Sequence, residues 1–295
     1  MMAEKLTTWQ SNSTNVRNNY LKKSLTWIAM YGFWLLNPLL VRRFIHKNFF
    51  APRKYKLSEQ ELQLLETAQE FNLNVNEQNV RCWQWGNGPA VIFVHGWNGS
   101  GLQFHPFFAK FTQAGCSIIT FDGPGHGQSE GTTSSYFEMT NAVRAVLKHF
   151  AAKPVLGIIG HSFGAAAIVN ALAKENQNLP TVLIAPALEI KEMLDQSFGI
   201  HGVPQVIFQR LIHEYQDRFG YDLVRDNPQN LLSEFTLKAL IIHDREDKIT
   251  PYAVSQQAAK NYAAVELVTT NGLGHKKILN DEQVINRALR FLHND

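Results

Sequence analysis

Gly160-His161-Ser162-Phe163-Gly164 constrains this chain more than any other stretch of its 295 residues. Ahead of it runs Pro154-Val155-Leu156-Gly157-Ile158-Ile159, an apolar stretch with the length of a buried strand. Behind it runs Ala165-Ala166-Ala167-Ile168-Val169-Asn170-Ala171-Leu172-Ala173, mostly good helix formers. A serine between two glycines, with a strand before and a helix after, reads as a sharp turn holding the hydroxyl at its apex. The glycines let the turn be tight and let helix and strand approach closely. The helix then aims its unpaired N-terminal amides and positive dipole end at the space beside the serine.

A serine hydroxyl is a weak nucleophile at neutral pH. It needs a base, and the base needs an orienting acid. Two downstream loops carry both. Lys238-Ala239-Leu240-Ile241-Ile242-His243 reads as a strand and runs into Asp244-Arg245-Glu246-Asp247. Ala264-Val265-Glu266-Leu267-Val268-Thr269-Thr270 reads as another and runs into Asn271-Gly272-Leu273-Gly274-His275. Within the first loop, Asp244, Glu246 and Asp247 all remain candidates for the acid. Upstream, the apolar strand Ala90-Val91-Ile92-Phe93-Val94 ends in His95-Gly96-Trp97.

Together with Asp122-Gly123-Pro124-Gly125-His126-Gly127, these motifs resemble the α/β-hydrolase superfamily over roughly residues 78–293. The resemblance is to bacterial members carrying Gly-His-Ser-x-Gly and Gly-Leu-Gly-His. It implies Ser162 as nucleophile, His275 as base and Asp247 as acid, with Pro251 four residues further on in register. It also implies that the backbone amides of Trp97 and Phe163 receive an oxyanion. One departure stands out: three positions before the acid such hydrolases usually carry Gly, and here stands Asp244. Asp tolerates unusual backbone angles, but a second carboxylate then lies close to the first.

The other histidines read as structural. His95, His126 and His161 sit beside glycines, where an imidazole can satisfy loop carbonyls. No histidine pair has the i, i+4 spacing of zinc motifs and no Cys pair accompanies them, so no metal is expected. The Gly96–Gly101 run lacks the Lys-Ser/Thr ending of a phosphate loop, and no cofactor is implied. Cys82 and Cys116 read as buried free thiols. A net charge of +3, with basic residues scattered except at the N-terminus, gives no case for nucleic acid.

Strands are expected near 79–85, 90–95, 116–122, 154–160, 180–186, 238–243 and 264–270, with helices between most of them. That alternation specifies a mostly parallel central sheet covered on both faces, an α/β-hydrolase fold. Residues 58–71 read as an amphipathic helix opened by a Ser58/Glu61 capping box. Residues 78–187 and 233–295 form the expected core. Residues 188–232 are expected as a helical lid insertion, with helices over 188–198 and 204–215, and residues 1–77 as an N-terminal extension. Within that extension, residues 24–41 carry no charge, but Asn37-Pro38 interrupts the run, leaving about 12 residues against a hydrocarbon core near 30 Å. The expectation is a helix packed on the hydrolase body, burying Trp27, Ile28, Phe33, Trp34, Leu35 and Leu36. Peripheral membrane contact through residues 24–41 is the competing reading, so the expected location is cytoplasmic or membrane-associated.

The chemistry expected is that of a serine carboxylesterase acting on a small-molecule ester or acyl substrate with an apolar part, through an acyl-enzyme on Ser162. A serine at the turn argues against the haloalkane and epoxide hydrolases, which carry Asp there, and the dienelactone type, which carries Cys. A peptidase or amidase, a thioesterase and an acyltransferase use the same three side chains. A non-catalytic binding module of the same fold is the alternative from another class.

Overall fold

A computed structural model describes residues 24–26, 28–233 and 238–293. In chain order the elements are a helix over 28–36 (α1), then α2 (Pro38–Ile45), α3 (Glu59–Leu65), β1 (Gln69–Val75), β2 (Gln78–Trp85) and β3 (Ala90–Val94). There follow α4 (His105–Gln113), β4 (Ser117–Phe121), α5 (Tyr136–His149), β5 (Val155–His161), α6 (Phe163–Glu175) and β6 (Thr181–Ile184). Next come α7 (Ile190–Ile200), α8 (Gln205–Phe219), α9 (Pro228–Leu231), β7 (Ala239–Asp244) and α10 (Tyr252–Asn261). The chain closes with β8 (Val265–Thr270), α11 (Gly274–Lys277) and α12 (Glu282–His293).

The strands form one sheet of order β1-β2-β4-β3-β5-β6-β7-β8. Only the β1–β2 and β2–β4 pairs are antiparallel, and every pair from β4 to β8 is parallel. Parallel strands need covered crossovers, so both faces are buried and the strands carry unbroken apolar runs rather than alternation. In β3 all five residues are buried. Val91 and Phe93 point into one core with Phe104, Phe107 and Phe111, while Ala90, Ile92 and Val94 point into the other with α5 and α6. Cys82 and Cys116 are buried free thiols.

Two elements differ from the reading of the sequence. The helix expected over 58–71 ends at Leu65, and Gln69–Val75 is a strand. The capping box is present, with Glu61 accepting from Ser58 N–H (2.8 Å) and Ser58 capping Glu61 N–H. Beyond Thr67, however, Phe71, Leu73 and Val75 alternate toward one face as β1 pairs with β2. The turn between them places Asn76 and Glu77 at φ 50° and 64°, a primed hairpin turn. The second difference lies in α1, where Ile28, Phe33, Leu35 and Leu36 are exposed rather than buried. Trp34 is partly covered beneath the Arg210 guanidinium, 5.7 Å from its ring centroid. The Trp27 side chain lies outside the described residues. In this region the covered apolar groups are Met30 in α1 and Val41 and Ile45 in α2, so one flank of each helix suffices for packing.

The described residues fall into two compact units. One comprises those up to Asn48 with Lys191–Gly220, the other Phe49–Ile190 with those from Tyr221 onward. Within the first, Arg42 pairs with Glu214 at 3.3 Å, and α8 buries Ile207, Phe208, Leu211 and Ile212. In the second, the ends of the excursion through α7 and α8 are clasped. Asn227 Oδ1 accepts from Ile190 N–H (3.0 Å), Gln229 N–H donates to Leu188 O (3.0 Å), and Asn227 Nδ2 donates to Glu189 (2.7 Å).

Candidate active site

The site begins where β5 stops. Ser162 stands between β5 and α6 at φ 54°, ψ −117°, a region L-residues avoid at a cost of about 1–3 kcal/mol. Its own backbone holds it there: Ser162 N–H donates to Ile184 O (2.9 Å) and its carbonyl accepts from Ala187 N–H (3.1 Å), locking the turn to the end of β6. The flanking glycines are required by space. A Cβ on Gly160 would sit 2.8 Å from Ala165 Cα, and one on Gly164 would sit 2.3 Å from His95 O. Gly96 is close-set to a lesser degree, since its Cβ would meet Ser162 Cβ at 3.1 Å. The backbone leading into Trp97 therefore runs against the serine. The Trp97 ring stands edge-on to Phe163, centroids 5.3 Å apart, which draws the two residues together beside Ser162. The first amides of an α-helix such as α6 have no acceptor within the helix.

Three of the expected side chains meet. His275, opening α11 after β8, places Nε2 3.0 Å from Ser162 Oγ and Nδ1 2.7 Å from Asp247 Oδ2. The Asp247 side chain is buried. Its Oδ1 accepts from Ile249 N–H (2.7 Å) and Thr250 N–H (3.0 Å), and its Oδ2 from Thr250 Oγ1 (3.0 Å). Burial opposes ionisation, but hydrogen bonds from His243, His275 and those two amides outweigh it and hold the carboxyl well below the usual range.

The loop's other carboxylates do different things. Asp244 is fully buried and turned away: Oδ2 accepts from Thr270 Oγ1 (2.8 Å) and Leu273 N–H (3.0 Å), Oδ1 from Glu246 N–H (2.9 Å). It braces the ends of β7 and β8 and the loop that delivers His275. Burial works against its ionised form, yet these bonds keep its pKa below the ordinary value. Glu246 is exposed.

The histidines beside glycines satisfy loop carbonyls. His161 Nε2 donates to His275 O (2.8 Å), its ring lying 4.7 Å from the His275 ring. Burial, aided by His275, pushes its pKa down to about 3, so it is neutral. His95 accepts from Gly123 N–H at Nε2 (2.8 Å), which leaves the proton on Nδ1 to bond Gly96 O (2.8 Å). Burial lowers its pKa too, and that of His126 to about 3. Asp122 ties the same loops together, accepting from Ser100 Oγ, Gly101 N–H and Gln128 N–H at 2.7–2.9 Å.

The sequence reading missed two groups. His243, the penultimate residue of β7, has Nδ1 2.7 Å from Ser255 Oγ and Nε2 3.3 Å from Asp247 Oδ2, so a second imidazole faces the carboxylate. Thr250 Oγ1 lies 3.2 Å from His275 Nδ1. The signal for His243 was its place at the end of an apolar strand, four residues before Asp247. Ser162 and His275 open onto a cleft of about 530 Å³, lined by Tyr55, Trp97, Asn98, Gln103, His105, Ile249, Lys276, Leu279 and Asn280.

Comparison with known proteins agrees with this architecture. The sequence profile of the α/β-hydrolase fold matches residues 89–206, and a TAP-like protein profile matches residues 223–294. The chain is 21% identical to the AB hydrolase superfamily protein YisY of Bacillus subtilis over 250 residues, 71% of this chain and 93% of that protein. Putative esterase/lipase 2 of Mycoplasma genitalium is 31% identical over 82 residues, 27% of this chain and 31% of that protein. Among solved structures, the Pyrococcus furiosus esterase Pf2001 superposes with a TM-score of 0.65 at 18% identity, covering 84% of this chain and 97% of its own. Est1E of Butyrivibrio proteoclasticus, solved with ferulic acid bound, gives 0.57 at 17% identity, covering 76% and 97%. The sheet order, the turn at Ser162 and these matches agree: the chain belongs to the α/β-hydrolase superfamily.

Proposed function

We propose that this hydrolase is a serine carboxylesterase, and the observation that carries the reading is the continuous Ser162–His275–Asp247 hydrogen-bond chain. Ser162 Oγ attacks the acyl carbon while His275 Nε2 takes its proton. The tetrahedral oxyanion is received by the Trp97 and Phe163 amides. His275 returns the proton to the departing alcohol as the ester C–O bond breaks, leaving an acyl-enzyme. Water, deprotonated by His275, then adds to the acyl carbon, and His275 returns that proton to Ser162 Oγ as the acyl–Ser162 bond breaks and the carboxylic acid leaves. Asp247 keeps the His275 proton on Nδ1 and stabilises the imidazolium. Trp97, Ile249 and Leu279 offer the apolar part of an ester contact, and Asn98, Gln103 and Asn280 offer hydrogen bonds to its polar part. The names of the Mycoplasma and Pyrococcus relatives, an esterase/lipase and an esterase, support the same reaction class.

A fluorophosphonate label and a panel of p-nitrophenyl esters test this. The wild type is expected to be labelled at Ser162 and to hydrolyse short or medium esters, and Ser162→Ala to lose both with its fold unchanged. Labelling that persists in Ser162→Ala removes the assignment. Faster cleavage of charged peptides than of any ester replaces the esterase with a peptidase.

A further inference from the structure

Fourteen large apolar side chains are exposed among the described residues, and eleven belong to the unit that contains α1, α2 and α8. They are not scattered. Leu25, Ile28 and Leu35 follow one another at helical spacing with exposures of 62–69%, and Leu39 in the first turn of α2 is 68% exposed. Leu36 is 84% exposed. In α2, Val41 and Ile45 are buried, while the opposite flank presents Leu40 and Phe44 with Leu39 and Arg43 beside them. One turn beyond Arg43 stands Lys47, also exposed. Apolar and cationic side chains thus share one outward face.

Length rules out a span. The Asn37 side chain caps α2 at Leu40 N–H with Pro38 in the first helical position. Residues 24–26 and 28–36 are helical, and the positions from 24 to that break would span only about 20 Å as helix, two-thirds of the hydrocarbon thickness. No helix among the described residues is long and apolar enough to cross a membrane.

Charge identifies what covers the face. Residues 24–58 hold six Lys/Arg and no Asp/Glu. Over residues 1–58 the count is ten basic against one acidic, and over the remainder 18 against 24. A second copy of this chain would bring like charge against like. We infer that α1 and α2 form a docking surface for an anionic lipid bilayer, lying in the interfacial plane. Leu35, Leu36, Leu39, Leu40 and Phe44 enter the acyl boundary and Arg43 and Lys47 reach lipid phosphates along their own aliphatic stems.

The test is co-sedimentation of the full-length protein with vesicles of phosphatidylcholine alone or mixed with phosphatidylglycerol, at low and high salt. Binding is expected on the mixed vesicles and is weakened by salt. Each basic residue near such a surface contributes about a factor of five, so Arg43→Gln/Lys47→Gln should bind roughly tenfold or more weakly. Leu36→Asp/Leu40→Asp should abolish binding. None of the four residues lines the Ser162 cleft, and an unchanged circular dichroism spectrum and Tm report that both variants are folded; their vesicle binding is read whether or not the esterase reading survives. No sedimentation with mixed vesicles, or equal binding to neutral ones that the Arg43/Lys47 variant leaves unchanged, overturns the inference. So does a wild-type dimer in solution that Leu36→Asp/Leu40→Asp converts to monomer without any vesicle binding, which would make a second copy the occupant.

Discussion

Replacing Asp247 by Asn separates the role of its charge from that of its shape, and the geometry fixes how the new amide must sit. Oδ1 accepts two backbone N–H groups, from Ile249 at 2.7 Å and Thr250 at 3.0 Å. The asparagine carbonyl has to keep that place. Flipping it would set NH₂ against two donors and forfeit both bonds, roughly 2–3 kcal/mol. The amide nitrogen therefore takes the position of Oδ2, 2.7 Å from His275 Nδ1. A donor there obliges Nδ1 to accept and moves the imidazole proton to Nε2, the atom facing Ser162 Oγ 3.0 Å away. The base is then already protonated on the side where it must take a proton. A wrong tautomer of this kind lowers kcat by about 10⁴, or roughly 5 kcal/mol of transition-state stabilisation. The assay is kcat on the best p-nitrophenyl ester beside the second-order rate of fluorophosphonate labelling, with Tm as a check on folding. Both rates should fall together. An Asp247→Asn protein that folds and works within tenfold of wild type would refute the argument from the tautomer.

Asp244→Asn is expected to lose about 3 kcal/mol of unfolding free energy in denaturant titrations while lowering kcat far less, because Asp244 braces backbone and hydroxyl groups rather than His275. Its folded pKa is depressed, so its stabilisation is complete above an unfolded value of about 3.9 and is lost as pH falls through the folded one. The variant should therefore show a shallower acid limb in Tm against pH, and an unchanged limb would count against this role. His243→Gln should cost about tenfold in kcat with little change in KM, since it removes one charge-assisted hydrogen-bond donor facing Asp247; a KM effect alone would place His243 in substrate binding instead. Gly164→Ala drives a methyl to 2.3 Å from His95 O and should lower unfolding free energy by roughly 2–3 kcal/mol. Wild-type stability there would show that helix and strand have room to part.

Much of this was legible because parallel strands buried on both faces print themselves as unbroken apolar runs, as Ala90–Val94 does. β1 was not, because Leu64, Leu65, Ala68 and Phe71 continue the spacing of α3 straight across its end. The alternation of Phe71, Leu73 and Val75 is short, and Asn76-Glu77 lacks the glycine that usually announces a hairpin. In the site, Ser162 and His275 stand in motifs, but Asp244 and Asp247 differ only in where their oxygens point, which spacing does not encode. The outward face of α1 was misjudged for a related reason. An apolar helical period records that a face needs covering, and is silent on whether protein or lipid covers it.

The clasp between Ile190 and Asn227 makes the intervening segment a detour with fixed endpoints. Between those endpoints residues 191–220 can lengthen, shorten or be exchanged at a closure cost that grows only with the logarithm of their length, while Tyr221 and Asp226 stay tied to Asn141 and Lys174. A lineage carrying this clasp can therefore try out new helices between 191 and 220 without renegotiating the bond between Asp247 and His275. Graft experiments that keep Leu188–Ile190 and Asn227–Gln229 as the splice points should return folded proteins far more often than splices placed a few residues inward of them in β6 or β7.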